Sequence, residues 1–350
     1  MTELTCYRCH APVMPRGECA CKDGCPVICG DVLDIAPQLS SLSMVFGSPP
    51  YSDARTYGIG ADRTCEEWVD WMLEVSLACQ QCTLGPIIWV VAGVTRKRNY
   101  WPGPEGLMWK WWKRGDDCQL YRPCAFHRVG IPGSGGTDWF RSDWEYIVCL
   151  KRPGALPWAD NTACGQPPRW APGGEMSYRL TDGQRRNQWG HSGTGYAGAR
   201  RKDGKRDKTF RPSHKQHTKR RADGAREVQD YRPPVKANPG NLLTGVGYLQ
   251  DCQATLDQYE RGTVRSGKVG GGLMGDKLAH ENEAAFPEWL AEVFVASFCP
   301  PGGAVLDPFV GSGTTLAVAR KLGRRGIGID IRESQCELTS RRLKQGLLFT

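Results

Sequence analysis

Val305-Leu306-Asp307-Pro308-Phe309-Val310-Gly311-Ser312-Gly313-Thr314-Thr315 is followed closely by Gly326-Ile327-Gly328-Ile329-Asp330. An apolar run, a Gly-x-Gly turn, a helix opening over Leu316 to Leu322, a second apolar run and an acid form the pattern of a nucleotide-binding βαβ unit. The glycines let the backbone approach a ligand closely. Asp330 ends the second strand, where a carboxylate can accept hydrogen bonds from both ribose hydroxyls. No third glycine stands where a dinucleotide pyrophosphate needs one, which disfavours a dehydrogenase, and no Gly-Lys-Ser/Thr makes a P-loop.

The alternation continues upstream. Val27 to Leu33 reads as a short strand that carries Gly30-Asp31, and a helix-like stretch runs on to Leu42. Ser43 to Gly47 is a buried strand that runs directly into Ser48-Pro49-Pro50-Tyr51, where two prolines stop the ladder and stiffen the turn. Residues 64–83 have helical periodicity through Trp68, Trp71, Met72, Val75 and Leu77. Pro86 to Ala92 and Glu145 to Leu150 are further buried strands. A helix through Leu290, Val293 and Phe294 precedes the glycine loop, and a last helix runs through Leu338 and Leu343. Strands alternating with helices predict an α/β fold with a mostly parallel, Rossmann-like sheet.

Ser48-Pro49-Pro50-Tyr51 and Asp307 to Thr315 together resemble the catalytic and cofactor motifs of DNA amino-methyltransferases, the N4-cytosine/N6-adenine family. Their order resembles the circularly permuted beta class of that family, of phage or bacterial type, in which the catalytic half precedes the cofactor half. The resemblance covers roughly residues 27–152 and 276–345. It implies S-adenosylmethionine as cofactor, held by Asp307, Pro308, Phe309, Gly311, Ser312, Gly313, Thr314 and Asp330. Ala284-Ala285-Phe286-Pro287 resembles the family's cofactor-side string, which implies that Phe286 lines the methionine end. Gly30-Asp31 resembles the acidic turn near the adenosine, and Asp31 is equally placed to cap a helix. Asp53, Arg55 and Tyr57 follow the catalytic turn and are candidates for the mouth of the site or for a surface loop.

The catalytic residues implied are Ser48, Pro49, Pro50 and Tyr51. An exocyclic amino nitrogen shares its lone pair with the base ring and is a poor nucleophile. Acceptors aimed at its two N–H bonds pull it toward tetrahedral geometry and align it for in-line transfer. The Ser48 side chain and the Pro49 carbonyl can be those acceptors. Tyr51 can stack on a base flipped out of the duplex. A cytosine-C5 enzyme would need a Pro-Cys nucleophile after the cofactor motif. Pro123-Cys124 lies before it, without a Glu-Asn-Val partner, and is incidental. Ser rather than Asp at the first catalytic position tilts the family's choice to N4 of cytosine. The alternatives are an N6-adenine enzyme, an RNA or protein methyltransferase, and an idle DNA-binding module that keeps the fold.

The composition adds a partner and a compartment. The 350-residue chain carries a net charge of +9. Arg200 to Arg221 holds eleven basic residues against Asp203 and Asp207, an excess equal to that of the whole chain. Such a block suits double-stranded DNA, and a solvated loop is the plainer reading. It lies in a stretch from about Gly154 to Gly272 that is rich in Gly, Pro, Arg and Ser, read as a target-recognition insertion, partly disordered. No apolar run approaches the ~18 residues of a membrane helix, and no signal-peptide core follows Met1. The expectation is a cytoplasmic protein of a bacterial host cell, a monomer or a homodimer, with a restriction partner left open.

Sixteen cysteines without a secretory signal argue against a disulfide framework. The first thirty residues concentrate them. Cys6-x2-Cys9 and Cys19-x-Cys21 are two close pairs that resemble a small zinc ribbon, with Cys25 as a substitute ligand and free buried thiols as the plainer reading. The expected division is therefore 1–26 zinc-ribbon-like, 27–153 catalytic, 154–272 insertion and 273–350 cofactor-binding.

Overall fold

The computed structural model describes residues 4–21, 23–51, 63–128, 142–165, 218–220, 226–228, 241–244 and 286–345. The main unit takes in residues 1–164 and 240–350, and residues 165–239 form a second unit.

The main unit is built on one sheet. Strands β1 (Val27–Cys29), β2 (Met44–Gly47) and β3 (Ile87–Val91) come from the first half of the chain. A small hairpin, β4 (Val94–Arg96) and β5 (Asn99–Trp101), lies apart from the sheet. Next come β6 (Gln119–Leu120), β7 (Cys124–His127) and β8 (Trp144–Lys151). In the second unit β9 (Thr218–Arg220) pairs antiparallel with β10 (Arg226–Val228). The main unit resumes with β11 (Leu242–Thr244), β12 (Ala304–Asp307) and β13 (Arg325–Asp330). The sheet order is β1-β13-β12-β2-β3-β8-β7-β11, with β6 also on β8. From β1 to β3 all pairings are parallel. The mostly parallel expectation holds there, but β8 runs antiparallel to β3, β6 and β7. Leu242–Thr244 joins the sheet parallel to β7, so part of the stretch read as an insertion belongs to the main unit.

The central strands β2 and β3 are buried along their whole length, as strands covered on both faces must be. Alternate residues supply two cores. Val45, Ile87, Trp89 and Leu306 face one, and Met44, Phe46, Ile88 and Val305 the other. Helices α1 (Val32–Ile35), α2 (Cys65–Cys82) and α3 (Gly103–Lys113) cover the first. Helices α4 (Glu288–Phe298) and α5 (Thr314–Lys321) cover the second. Helix α6 (Glu333–Gln345) closes a smaller cluster around Val27, Val310 and Leu316.

Local chemistry sets the boundaries. Thr64 and Glu67 form a capping box that starts α2. Inside, Trp89 satisfies its indole N–H on the Ser76 hydroxyl at 3.0 Å, avoiding a buried unpaired donor. The helix-like stretch after Leu33 is shorter than its sequence suggests: α1 gives way to a 3-10 turn at Ala36–Gln38, where Pro37 cannot donate an N–H. Among the described residues no helix is long and apolar enough to cross a membrane.

Candidate active site

The pairing of β12 with β2 brings together residues about 260 apart in sequence, with Val305 beside Met44 and Leu306 beside Val45. Both strands end at the same edge, and the two sequence motifs continue from them. The contact is close enough to demand glycine: a Cβ on Gly47 would lie 2.6 Å from the Asp307 carboxylate oxygen.

A cleft of about 880 Å³, its open mouth included, lies beyond these strand ends. Ser48, Pro49 and Pro50 line one side, and Pro308, Phe309, Gly311 and Asp330 line the other with Gly30 and Asp31. Four separate chain segments thus meet in one site at the carboxyl ends of parallel strands, where α/β sheets bind ligands.

The acids differ in role. Asp330 is buried and accepts from the Gly311 N–H at 3.1 Å and the Arg332 N–H at 3.0 Å. Burial raises its pKa, against the pull of Arg332. Asp31 caps α1, accepting from the Leu33 N–H at 2.9 Å, and still faces the cleft. Asp307 does not reach the cleft. Its carboxylate accepts from the Thr315 hydroxyl at 2.6 Å and the Phe309 N–H at 3.1 Å. Burial pushes its pKa up to about 7, despite those two donors.

The rest of the glycine loop is pinned from behind. Gly313 has φ +79°, where a Cβ would also meet the Thr339 methyl at 2.8 Å. The Thr339 hydroxyl donates to the Gly311 carbonyl at 2.7 Å. Buried Arg342 donates to the Ser312 carbonyl at 3.1 Å, to the Thr314 hydroxyl at 2.9 Å and to Glu288 at 2.6 Å. Ser312, Gly313 and Thr314, expected to hold cofactor, are not among the residues that line the cleft. Nor is Phe286, which lies edge-on to Phe46 in the second core at 5.3 Å between ring centroids.

On the catalytic side, the Trp68 indole N–H donates to the Pro50 carbonyl at 2.8 Å and fixes the turn to α2. Tyr51 is half-buried against the first core rather than in the cleft lining. Burial raises its pKa well above the ordinary value, reinforced by the negative charge of Glu145 and opposed by a hydrogen bond with Ser48. Glu145 itself pairs with Arg128 at 2.6 Å. Asp53, Arg55 and Tyr57, with Ala284 and Ala285, lie outside the described residues, as do all of the basic block's side chains. Cys124 sits on β7 and is not among the residues that line the cleft.

Several lining residues escape a sequence reading. Trp71 and Phe309 form an aromatic wall, 5.6 Å between centroids, and the Arg63 guanidinium lies 4.5 Å over Trp71. The periodicity of α2 marks Trp71 as apolar-face but not as cleft-facing. Val32, Ile331 and Arg332 also line the cleft. Their only signal is that each neighbours a motif acid.

Known proteins align with this arrangement. The orphan methyltransferase M.BamHII of Bacillus amyloliquefaciens is 41% identical over 115 residues, 33% of this chain and 39% of that protein. The type II methyltransferase M2.DpnII of Streptococcus pneumoniae is 42% identical over 69 residues, 20% of this chain and 26% of that protein. The chain thus spans well under half the length of these curated relatives. The crystal structure titled PvuII DNA methyltransferase (cytosine-N4-specific) superposes with a TM-score of 0.53 at 15% identity, covering 91% of this chain and 86% of that one, a likeness of fold. The sequence model of the N6/N4 family, described as DNA methylase, matches residues 42–341, from the strand before the proline turn to the helix behind the glycine loop. With both motifs of the cleft inside that match, the chain belongs to the N6/N4 DNA methylase family.

Proposed function

We propose that the protein methylates an exocyclic amino group of a flipped-out base in double-stranded DNA, with S-adenosylmethionine as donor and N4 of cytosine as the preferred position. The observation that carries this reading is the shared cleft: the Ser48-Pro49-Pro50 turn and the loop from Pro308 to Gly311 face one space. The residues present fit the cofactor. Asp330 and Asp31 offer carboxylates for ribose and adenosine groups, and Trp71 and Phe309 offer an apolar aromatic wall. Bound S-adenosylmethionine supplies a methyl group made electrophilic by its sulfonium.

The chain's own residues do the rest. The Ser48 side chain and the Pro49 carbonyl accept from the two amino N–H bonds and draw the nitrogen lone pair out of conjugation. The proline pair and the Trp68 bond to Pro50 hold these acceptors in one direction. Holding nucleophile and methyl in line removes the entropic part of the barrier. In this reading the halves are permuted, catalytic before cofactor, and the enzyme works in the cytoplasm of a bacterial host. Ser48 in place of Asp carries the preference for cytosine. The basic block between Arg200 and Arg221 contacts duplex phosphates, so neutralising it weakens DNA binding and flattens its salt dependence.

The test is nucleoside mass spectrometry of duplex DNA incubated with the protein and S-adenosylmethionine. N4-methylcytosine is expected. N6-methyladenine would keep the cleft chemistry and remove Ser48 as the determinant of base choice. An absence of any methylated base would refute the proposal.

A further inference from the structure

We propose that Cys6, Cys9, Cys19 and Cys21 bind one Zn²⁺ as a closed tetrathiolate, and that this ion clamps the N-terminal segment onto the sheet edge whose strand leads into Gly30 and Asp31 of the cleft lining. The first half stands on the sulfur geometry. The second rests on the reading of the cleft as an S-adenosylmethionine site.

All four Sγ atoms lie within 4.8 Å of one another, and Cys6 Sγ is 3.6 Å from Cys21 Sγ. A tetrahedral zinc with Zn–S near 2.3 Å sets its sulfurs about 3.8 Å apart. All four are free thiols. The backbone is shaped to present them. Between Cys6 and Cys9 the chain folds into a tight turn: the His10 N–H reaches the Cys6 carbonyl at 2.8 Å, with His10 at φ 56°. The Cys6 N–H in turn reaches the Ala11 carbonyl at 2.9 Å. In the second pair the Cys21 N–H points at Cys19 Sγ at 3.3 Å, the kind of donor that steadies a thiolate ligand. Four thiolates suit zinc among the common divalent ions and leave no open position, so the site is structural and takes no part in methyl transfer.

The segment that the ion closes has few residues from which to build a core of its own, and its contacts run within itself, to β1 and to β13 of the cofactor half. The Tyr7 N–H donates to the Val27 carbonyl at 2.7 Å, at the start of the edge strand β1. Arg8 grips Asp23 at 2.7 and 2.8 Å and the Cys25 carbonyl at 2.6 Å. Glu18 pairs with Arg325 at 2.9 Å, and Gly17 sits so close to Ile327 that a Cβ would overlap it at 2.1 Å. Strand β1 pairs within the sheet with β13 alone among the described strands. It leads into Gly30, whose N–H bonds to the Asp330 carbonyl at 3.0 Å. A loosened cysteine segment therefore acts on both acids of the cleft through β1 and β13.

The experiment uses the full chain purified under reducing conditions without chelator. Elemental analysis should find one zinc per chain. Exchange with Co²⁺ should give the visible absorption of a tetrahedral thiolate site. Cys9→Ser and Cys19→Ser should lose the metal, while Cys29→Ser, outside the cluster, should keep it. Where a variant fails to fold, release of zinc from the wild-type chain by a mercurial, titrated against a colorimetric chelator, reads the same stoichiometry. Protein without stoichiometric zinc that still melts as a folded chain would overturn the site. Metal removal should also lower the melting temperature and weaken S-adenosylmethionine binding several-fold by calorimetry. Binding that is unchanged after removal would overturn the clamp and leave the site. Failure of the zinc-loaded chain to bind S-adenosylmethionine would instead refute the reading of the cleft, which the metal stoichiometry does not touch.

Discussion

The glycine loop and the proline turn face each other across one cleft and are held by different means. The loop is fixed by side chains from several directions: Asp330 on Gly311, Thr339 on the Gly311 carbonyl, and Arg342 on Ser312 and Thr314. The turn relies on the stiffness of Pro49 and Pro50 and on the Trp68 indole at the Pro50 carbonyl. The contrast fits the two tasks proposed for them. A cofactor loop gains from one fixed shape, which networks of buried hydrogen bonds supply. The proposed catalytic turn needs acceptors open toward the substrate, and the Trp68 indole supports it at the Pro50 carbonyl, which is not one of them.

The comparison breaks most sharply at Ser48. Ser48→Ala should lower turnover by roughly 10²-fold or more, with cofactor affinity unchanged by calorimetry. Full activity would take Ser48 out of the chemistry. On the other side, Asp330→Ala should weaken S-adenosylmethionine binding about 10- to 100-fold, since it removes charged acceptors and frees the Gly311 N–H. Unchanged binding would show that the carboxylate serves the loop alone. Trp68→Phe keeps the ring and removes the donor to Pro50. A fall in turnover of about tenfold with cofactor affinity intact is expected, and equal kinetics would make Trp68 plain core.

The smallest effect concerns Asp307. Its pKa in the folded chain, about 7, lies above the ordinary 3.8, so the folded chain holds a proton that the unfolded chain sheds. That contribution to stability is complete at pH below the ordinary value and is lost as pH rises through about 7. The melting temperature of the wild type should therefore fall relative to that of Asp307→Asn between mildly acidic and mildly alkaline pH. A gap that stays constant would mean that Asp307 does not titrate in this range.

Much of this molecule is legible in its sequence because its signals are local. Buried strand runs such as Ile87–Val91, the helical periodicity of residues 64–83 and the Gly-x-Gly turn each depend on neighbours a few residues away. The two motifs, and the four cysteines that come together near the N-terminus, are read the same way. What local signals miss is direction. In the motif from Asp307 to Thr315, Pro308, Phe309 and Gly311 line the cleft, whereas Asp307, Ser312 and Thr314 are engaged by Thr315 and Arg342. Phe286 joins the opposite core, while Trp71, Arg63 and Arg332 enter the site unannounced.

By itself the sequence determined the alternation of strands and helices, the residue types of both motifs and the concentration of positive charge. Only the tertiary structure decided which motif side chains face the ligand space and which brace it. The physical reason is the β2–β12 pairing, which joins segments about 260 residues apart. A strand's periodicity states which residues share a face. The identity of the partner on that face, whether Arg342, Phe46 or an open cleft, is fixed only when distant segments pack.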